Sequence, residues 1–343
     1  MSGFFKDKKV LIIGGTGTIG KSLLRTILDD APSVVRIFSR DEHKQFMLQQ
    51  EMAGYGNIRY LIGDVRDQSR VQRAMQDIDY VFHAAAMKHV PACEYNPFEA
   101  VQTNVIGTQN VIQAALASGV KKTVFTSTDK AIAPTNTYGA SKLMAERLIA
   151  SAQNQTGPRD TRFAAVRFGN VMGSRGSVIP LFQWQIKEKR QITVTNLDMS
   201  RFMMTQQQAT DLTIEAMLRA QGGEVFVLKM PVIRLQDLTE VIVEDMAECL
   251  GIHPHAIEIK EIGLRPGEKM YEELMTADEA LQALELPDMF VIPNGFLNNN
   301  VHYEGARPAP VQGYNSHNLD PISKHAVAQM LGENGLFAPR EKC

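Results

Sequence analysis

One short stretch constrains this chain more than any other. In Val10-Leu-Ile-Ile-Gly14-Gly15-Thr16-Gly17-Thr18-Ile19-Gly20 an apolar, β-branched run meets spaced glycines and passes into a segment with helical spacing. Glycines at 14, 17 and 20 permit a tight turn and a close approach of backbone to a pyrophosphate. The helix that follows offers free N–H groups and the positive end of its dipole. Strand, turn and helix together predict a dinucleotide-binding site at Gly14, Thr16, Gly17, Thr18, Ile19 and Gly20.

The pattern continues downstream. Val34–Phe38, Ile58–Ile62, Tyr80–His83 and Thr123–Thr126 are short apolar runs of the kind buried on both faces of a parallel sheet. Helix-like segments at Gly20–Leu28, Lys44–Met52, Ser69–Met75 and Ala100–Ser118 alternate with them. Met144–Ser151 adds a helix and Arg162–Arg167 a further strand. This alternation predicts an α/β fold, a doubly wound parallel sheet, with a smaller C-terminal substrate-binding domain.

After about Gly173 the pattern loosens. Ile192–Thr195, Glu224–Leu228 and Ile257–Ile262 are strand candidates, and Gln207–Ala220 and Leu235–Leu250 are helix candidates. The expected division assigns 1–175 to a dinucleotide-binding domain with an interleaved return near 207–250. It assigns 176–206 and 251–300 to the substrate domain and 301–343 to a tail. The Asn-, Gly- and Pro-rich stretch from Asn294 to Asn318 is expected to wrap the surface or a neighbouring subunit.

Composition narrows the function classes. The 343 residues are 44% hydrophobic and 22% charged, which is globular composition and enough chain for two domains. A formal net charge of −2 provides no basic excess for a phosphate backbone, so no nucleic-acid partner is expected. Cys93, Cys249 and Cys343 are far apart and form no CxxC pair. That spacing predicts no disulfide framework and no metal site, in a reduced, cytoplasmic protein. The charged N-terminus from Met1 to Lys9 leads into no apolar h-region, and no apolar run approaches ~18 residues, so neither a signal peptide nor a membrane partner is expected.

The tip of the second strand bears on the cofactor. A free ribose 2′-OH usually meets an acid there, and a 2′-phosphate meets an arginine. Ser39, Arg40 and Lys44 favour NADP by guanidinium–phosphate pairing, whereas Asp41 and Glu42 can either cap the next helix or bind ribose. Asp64-Val65 closes the third strand, where an acid can accept from the adenine amino group or cap a helix. Ala84, Ala85 and Ala86 after the fourth strand let a cofactor approach the sheet edge, and His83 reads as a structural histidine.

The reactive groups concentrate at Ser127-Thr128-Asp129-Lys130 and Tyr138-Gly-Ala-Ser-Lys142. Tyr138 and Lys142 are four apart and share a helix face. Lys142 is expected to lower the phenol pKa of Tyr138 and to bind the cofactor ribose, and Thr128 to supply a hydroxyl hydrogen bond. A phenolate so tuned can take the proton from a substrate hydroxyl while hydride leaves the same carbon.

Together these residues resemble the extended short-chain dehydrogenase/reductase superfamily. Gly14-Gly-Thr-Gly-Thr-Ile-Gly20, Phe38-Ser-Arg-Asp-Glu42, Gly63-Asp-Val-Arg-Asp67, His83-Ala-Ala-Ala-Met-Lys-His-Val-Pro91, Ser127-Thr-Asp-Lys-Ala131, Arg167-Phe-Gly-Asn-Val-Met-Gly-Ser-Arg-Gly-Ser177 and Arg265-Pro-Gly-Glu-Lys269 are similar to motifs of the inverting UDP-N-acetylglucosamine 4,6-dehydratases. The resemblance spans roughly Lys8 to Pro293, and Tyr314-Asn-Ser-His-Asn318 is similar to the tail of capsule and O-antigen members. It implies an NADP-dependent homo-oligomer acting on UDP-N-acetylglucosamine. Hydride would pass from C4 to NADP⁺ and return to C6, with water lost across C5–C6.

Asp-Lys at 129–130 is the inverting pattern, where retaining relatives carry Asp-Glu. The resemblance makes Asp129 the acid for the leaving 6-hydroxyl and Lys130 the base for the C5 proton. Both roles require pKa values moved toward neutrality, which burial achieves for each type. It further implies cofactor and substrate contact at Lys88, and substrate contact at Asn170, Val178, Arg201, Arg265 and Glu268. Arginines suit a diphosphate because a guanidinium binds phosphate through two bonds. Arg175 can bind phosphate or a surface carboxylate. A UDP-hexose 4-epimerase and a catalytically silent NADP-sensing protein are the other readings. The first shares Tyr138 and Lys142 but needs no Asp129-Lys130 pair.

Overall fold

The computed structural model describes residues 3–174, 176–295 and 301–338. Arg175 and Cys343 lie outside them. The first half is β1 (Lys9–Ile13), α1 (Thr18–Leu28), β2 (Val34–Ser39), α2 (Glu42–Glu51), β3 (Ile58–Ile62), α3 (Gln68–Met75) and β4 (Tyr80–His83). Next come α4 (Val90–Tyr95), α5 (Pro97–Ala100), a π-helical stretch Val101–Ile106, α6 (Gly107–Ser118), β5 (Lys122–Thr126), α7 (Thr137–Ala152) and β6 (Arg162–Arg167). The second half is β7 (Asn170–Val171), α8 (Val178–Lys189), β8 (Gln191–Val194), β9 (Ser200–Met204), α9 (Gln206–Arg219), β10 (Val225–Leu228), β11 (Val232–Arg234) and α10 (Leu235–Leu250). It ends with β12 (Glu258–Glu261), β13 (Glu273–Met275), α11 (Ala277–Ala280), β14 (Leu284–Glu285), β15 (Met289–Ile292), β16 (Arg307–Pro308), β17 (Tyr314–Asn315) and α12 (Lys324–Glu333).

The chain forms two compact units, 1–168 with 209–229 and 275–313, and 169–208 with 230–274 and 314–343. The first holds a sheet of order β16-β14-β15-β10-β6-β5-β4-β1-β2-β3. From β3 to β10 neighbouring strands are parallel, and β15, β14 and β16 add an antiparallel edge. This is the doubly wound fold the alternation predicted. Its central strands are buried on both faces, with Val10 to Ile13 and Val81 to His83 at 1% exposure or less, whereas β3, expected to be buried too, is an edge strand that exposes Arg59 and Ile62. Strand order reverses between β1 and β4, the place where such sheets open a ligand crevice at their carboxyl ends.

In the second unit α8, α10 and α12 close a core of Ile179, Phe182, Ile186, Leu238, Ile242, Met246, Val327 and Leu331. Two short sheets, β11-β9-β7 and β12-β8, flank it.

Several expectations are corrected here. The return to the first unit covers 209–229 rather than 207–250, because α10 buries Leu238, Ile242 and Met246 in the second core. Residues 275–313 rejoin the first unit because β14, β15 and β16 extend its sheet. Of the stretch expected to wrap the surface, Glu304, Gly305, Arg307 and Pro308 are exposed while Tyr303 and Ala309 are buried, and the chain after it enters a core. Val327 and Leu331, one helical turn apart, are core residues of the second unit, and Tyr314 and Ser316 are buried. The segment read as one helix, Ala100–Ser118, contains the π-helical Val101–Ile106. Cys93 is a buried free thiol, and Cys249 lies in the half-buried last turn of α10. No helix among the described residues is long and apolar enough to cross a membrane, and none of them form a cluster able to hold a metal ion.

Candidate active site

The glycine turn fits a dinucleotide. Gly14 has φ +83°, and a Cβ there would lie 2.7 Å from the Ala85 nitrogen and 2.8 Å from the Ala84 carbonyl carbon. A Cβ on Gly20 would lie 2.5 Å from the Gly14 oxygen. Backbone from β1, α1 and the β4 end is thus brought together as only glycine allows. Gly17 caps α1 without a side-chain hydrogen bond, so no capping side chain takes the amides at Thr18, Ile19 and Gly20. Thr16 is buried beside them.

At the β2 tip Asp41 accepts the Lys44 N–H at 2.9 Å and so caps α2. Its carboxylate also pairs with the Lys44 ammonium, which holds its pKa below the usual range. Lys44, expected to face a 2′-phosphate, is therefore committed to its own helix cap. Arg40 is exposed, with Asp64 at 3.6 Å. The Ser39 hydroxyl accepts from Gln45 Nε2 at 3.1 Å. Asp64 is gripped by Arg66 through Nε at 3.0 Å and Nη2 at 2.8 Å, while Asp67 caps α3. Val65 is buried, its carbonyl taken by Asn110 Nδ2 at 2.9 Å. His83 is fully buried and bonded to the Thr108 hydroxyl at 3.0 Å, and burial pushes its pKa down to about 3. It is a neutral core histidine. Ala84 and Ala85 are half-buried, and Ala86 and Lys88 are exposed.

Beyond β5 the chain makes a 3₁₀ turn, Asp129–Ala131. Lys130 Nζ donates to Asp129 Oδ2 at 2.9 Å and Oδ1 at 3.2 Å. The Asp129 side chain is 1% exposed and that of Lys130 is 32%, so this is no solvated surface pair. The Thr128 hydroxyl donates to Asp129 Oδ1 at 2.7 Å, and it lies near enough to the Tyr138 phenol to help hold its pKa down. Thr128, Asp129, Lys130 and Tyr138 are thereby assembled around one carboxylate.

Burial pushes the Tyr138 phenol up to about 12, and the charge opposing that rise belongs to Lys130. The expectation that Lys142 would supply it is corrected. Lys142 Nζ donates to the Thr126 carbonyl at 2.5 Å and lies 3.8 Å from the Phe125 ring centroid. Burial there pulls its pKa down to about 7.

Two residues escaped the sequence reading. Asn104, in the π-helical stretch, accepts from Met87 N–H at 2.8 Å and donates to the Met87 carbonyl at 3.0 Å and to Ser141 Oγ at 2.9 Å. It ties the segment after β4 to α7, and its only sequence signal is a polar residue inside an apolar helical run. Gly139 is the second, marked only by a glycine in the first turn of a helix.

Of the positions carried over for substrate, Lys88 belongs to the first unit, and Asn170, Val178, Arg201, Arg265 and Glu268 to the second. Asn170 Nδ2 donates to Glu272 at 2.8 and 3.0 Å. Arg201 directs its guanidinium at Ser200, Met270 and Lys269 carbonyls, at 2.8, 3.1 and 2.9 Å. Arg265 is exposed and its N–H donates to Glu268 Oε2 at 3.2 Å. Val178 opens α8 and packs on the second core.

A family model described as polysaccharide biosynthesis protein matches residues 10–294. An uncharacterized membrane protein of Methanocaldococcus jannaschii is 50% identical over 337 residues, 97% of this chain and 98% of its own. The UDP-N-acetylglucosamine 4,6-dehydratase (inverting) of Campylobacter jejuni is 41% identical over 293 residues, 84% of this chain and 83% of its own. A UDP-glucose 4-epimerase of Rickettsia massiliae is 39% identical over 338 residues, 95% of this chain and 96% of its own. The X-ray structure of Pen from Bacillus thuringiensis superposes with a TM-score of 0.91 at 61% identity, over 97% of this chain and 100% of that one.

Proposed function

The chain belongs to the polysaccharide biosynthesis protein family, among sugar-nucleotide dehydratases and epimerases of the extended short-chain dehydrogenase/reductase fold, and from that membership we propose that it is an NADP-dependent, inverting UDP-N-acetylglucosamine 4,6-dehydratase, working as a cytoplasmic homo-oligomer. The observation that supports this reading is the Asp129–Lys130 pair, its carboxylate buried and in contact with Thr128 and its ammonium partly exposed.

The Gly14–Gly20 turn, Ser39, Arg40, Asp64 and Lys142 would hold the dinucleotide. When bound, it would supply a hydride acceptor for C4 and a hydride donor for C6 of the sugar. The remaining steps fall to the protein. Tyr138, beside Thr128 and ionised to its phenolate with the help of the Lys130 charge, takes the C4 hydroxyl proton as the alcohol becomes a ketone. Within the ion pair one proton can shift from Lys130 Nζ to the Asp129 carboxylate. That shift creates an amine base and a carboxylic acid side by side. The amine takes the C5 proton, and the acid gives its proton to the departing 6-hydroxyl, which leaves as water. Elimination thus restores the ammonium–carboxylate pair. Inversion then requires C5 to be reprotonated from the opposite face. Lys88, Asn170, Val178, Arg201, Arg265 and Glu268 would bind the UDP-sugar.

Incubation with UDP-N-acetylglucosamine and NADP, read by mass spectrometry and NMR, tests the reading. A product lighter by one water, with L-arabino configuration, is expected. A product of unchanged mass, epimerised at C4, would overturn it in favour of a UDP-hexose 4-epimerase. The relative bearing that name supports the second reading, but it leaves the Asp129–Lys130 pair without a task.

A further inference from the structure

We infer that Glu272 is a positioning residue that fixes the polarity of the Asn170 amide and the orientation of Arg201 for nucleotide-sugar binding. The inference rests on the function proposed above. Glu272 is 7% exposed and belongs to the second unit, as do all its partners named here. Its carboxylate receives Asn170 Nδ2 at 2.8 and 3.0 Å and the Phe202 N–H at 3.2 Å, and lies 3.4 Å from Arg201 Nε.

A carboxylate only accepts, so it dictates which end of the Asn170 amide faces it. The Phe202 carbonyl, 3.2 Å from the same nitrogen, enforces the same choice. Asn170 Oδ1 is therefore directed away from Glu272, and any group meeting that end must be a donor. A ribose hydroxyl or the uracil N3–H of UDP has that chemistry.

Arg201 is set by the same carboxylate. With Nε on Glu272, its Nη atoms reach the carbonyls of Lys269 and Met270, directly after Arg265–Glu268. Glu272 is itself anchored by backbone. Its N–H donates to Ser316 Oγ at 2.9 Å, and its carbonyl accepts the Ser316 N–H at 2.8 Å. Ser316 Oγ lies 2.9 Å from Ser200 Oγ, next to Arg201. One acid thus joins two positions carried over as substrate contacts, Asn170 and Arg201, to the 314–316 segment.

Glu272→Gln keeps the shape, removes the charge, and lets the Asn170 amide turn over. We expect KM and the calorimetric Kd for UDP to rise about tenfold with kcat unchanged, the pattern of lost uniform binding. In an Asn170→Ala background the same change should add less than it does in wild type, what remains being the part that acts through Arg201. An unchanged KM, or full additivity in the double variant, overturns the inference. Should Glu272→Gln not fold, the swap Asn170→Asp with Glu272→Gln remakes the hydrogen bond with reversed polarity. It should fold and keep a raised Kd, and a wild-type Kd there also overturns the inference. Because UDP affinity is read directly, a wild-type protein that binds UDP without dehydrating the sugar counts against the proposed reaction and leaves the Glu272 result separate.

Discussion

Gly139 lies so close to Lys130 that a Cβ on it would be 2.1 Å from the Lys130 carbonyl oxygen. The first turn of α7 therefore rests directly on the 3₁₀ turn that carries Asp129 and Lys130. Asn136 caps the helix by accepting the Gly139 N–H at 2.8 Å, which fixes its start. This contact is what brings Tyr138 within the field of the Lys130 ammonium.

Gly139→Ala is expected to separate α7 from the turn. Overpacking of this kind costs about 1–3 kcal/mol, and the displaced Tyr138 should lower turnover by more than the loss of folded protein explains. Urea unfolding and kcat on the folded fraction measure both. An unchanged midpoint with full turnover would show that the turn yields without consequence.

The buried ammonium of Lys142 makes stability depend on pH. Its pKa falls from 10.5 to about 7 because burial penalises the charge. Below pH 7 the folded protein carries that charge at full cost. Between pH 7 and 10.5 the folded state releases the proton while the unfolded chain keeps it, so stability climbs with pH across this window. Lys142→Met removes this contribution. The stability of wild type relative to the variant should rise from pH 7 to 10, with a slope approaching about 1.4 kcal/mol per unit in ligand-free protein. A difference flat with pH would refute the buried ammonium.

Much of this site was legible because it is local. Strand runs buried on both faces, the Gly14–Gly20 turn, and the offsets linking Thr128, Asp129, Lys130, Tyr138 and Lys142 all follow from short-range geometry. What escaped depends on distant partners or masked signals. Helix α8 is absent from the sequence-based expectations although Ile179, Phe182 and Ile186 share a face, and its sequence carries a proline, Pro180, in the first turn. In the first turn its missing N–H breaks no intrahelical bond. The return of 275–313 to the first sheet rests on pairing between residues far apart in sequence. The choice of Lys130 over Lys142 as the charge acting on Tyr138 depends on where two flexible side chains find acceptors.

A buried charge cluster fastens α7 to its surroundings. Arg167 is fully buried between Glu146 of α7, at 2.8 Å from Nε, and Glu279, at 2.8 Å from Nη1 and Nη2. Glu146→Ala leaves that guanidinium short of a partner in the interior. Breaking such a pair costs about 3–5 kcal/mol. Denaturant titration should show that loss, and a change under about 1 kcal/mol would mean that Glu279 alone compensates.

Cofactor preference should rest on Arg40 rather than Lys44, because Lys44 is held by Asp41. Arg40→Ala should weaken NADP by about ten- to a hundredfold, the value of one bidentate arginine–phosphate contact at ~1.5–3 kcal/mol, and leave NAD nearly unchanged. Lys44→Ala should change either affinity far less. Titration calorimetry with both dinucleotides decides, and equal affinities of wild type for the two would remove NADP as the preferred cofactor.

The Asp129–Lys130 pair separates dehydration from epimerisation. If the elimination runs through it, Lys130→Ala should abolish water loss, while oxidation at C4 through Thr128, Tyr138 and Lys142 continues more slowly because Tyr138 loses the charge that opposes its high pKa. Asp129→Asn, which preserves size, should slow water loss by ~10²-fold or more, because the amide cannot protonate the leaving hydroxyl. Both variants should bind UDP normally. In D₂O the wild-type product should carry deuterium at C5, since the proton taken by an exposed part of Lys130 exchanges with solvent before C5 is reprotonated. Dehydrated product from Lys130→Ala at the wild-type rate would mean that another group takes the C5 proton, and the pair would then be a structural clasp for Thr128. Product without C5 deuterium would instead require a proton shielded from water throughout, and so a single carrier that crosses from one face of the sugar to the other.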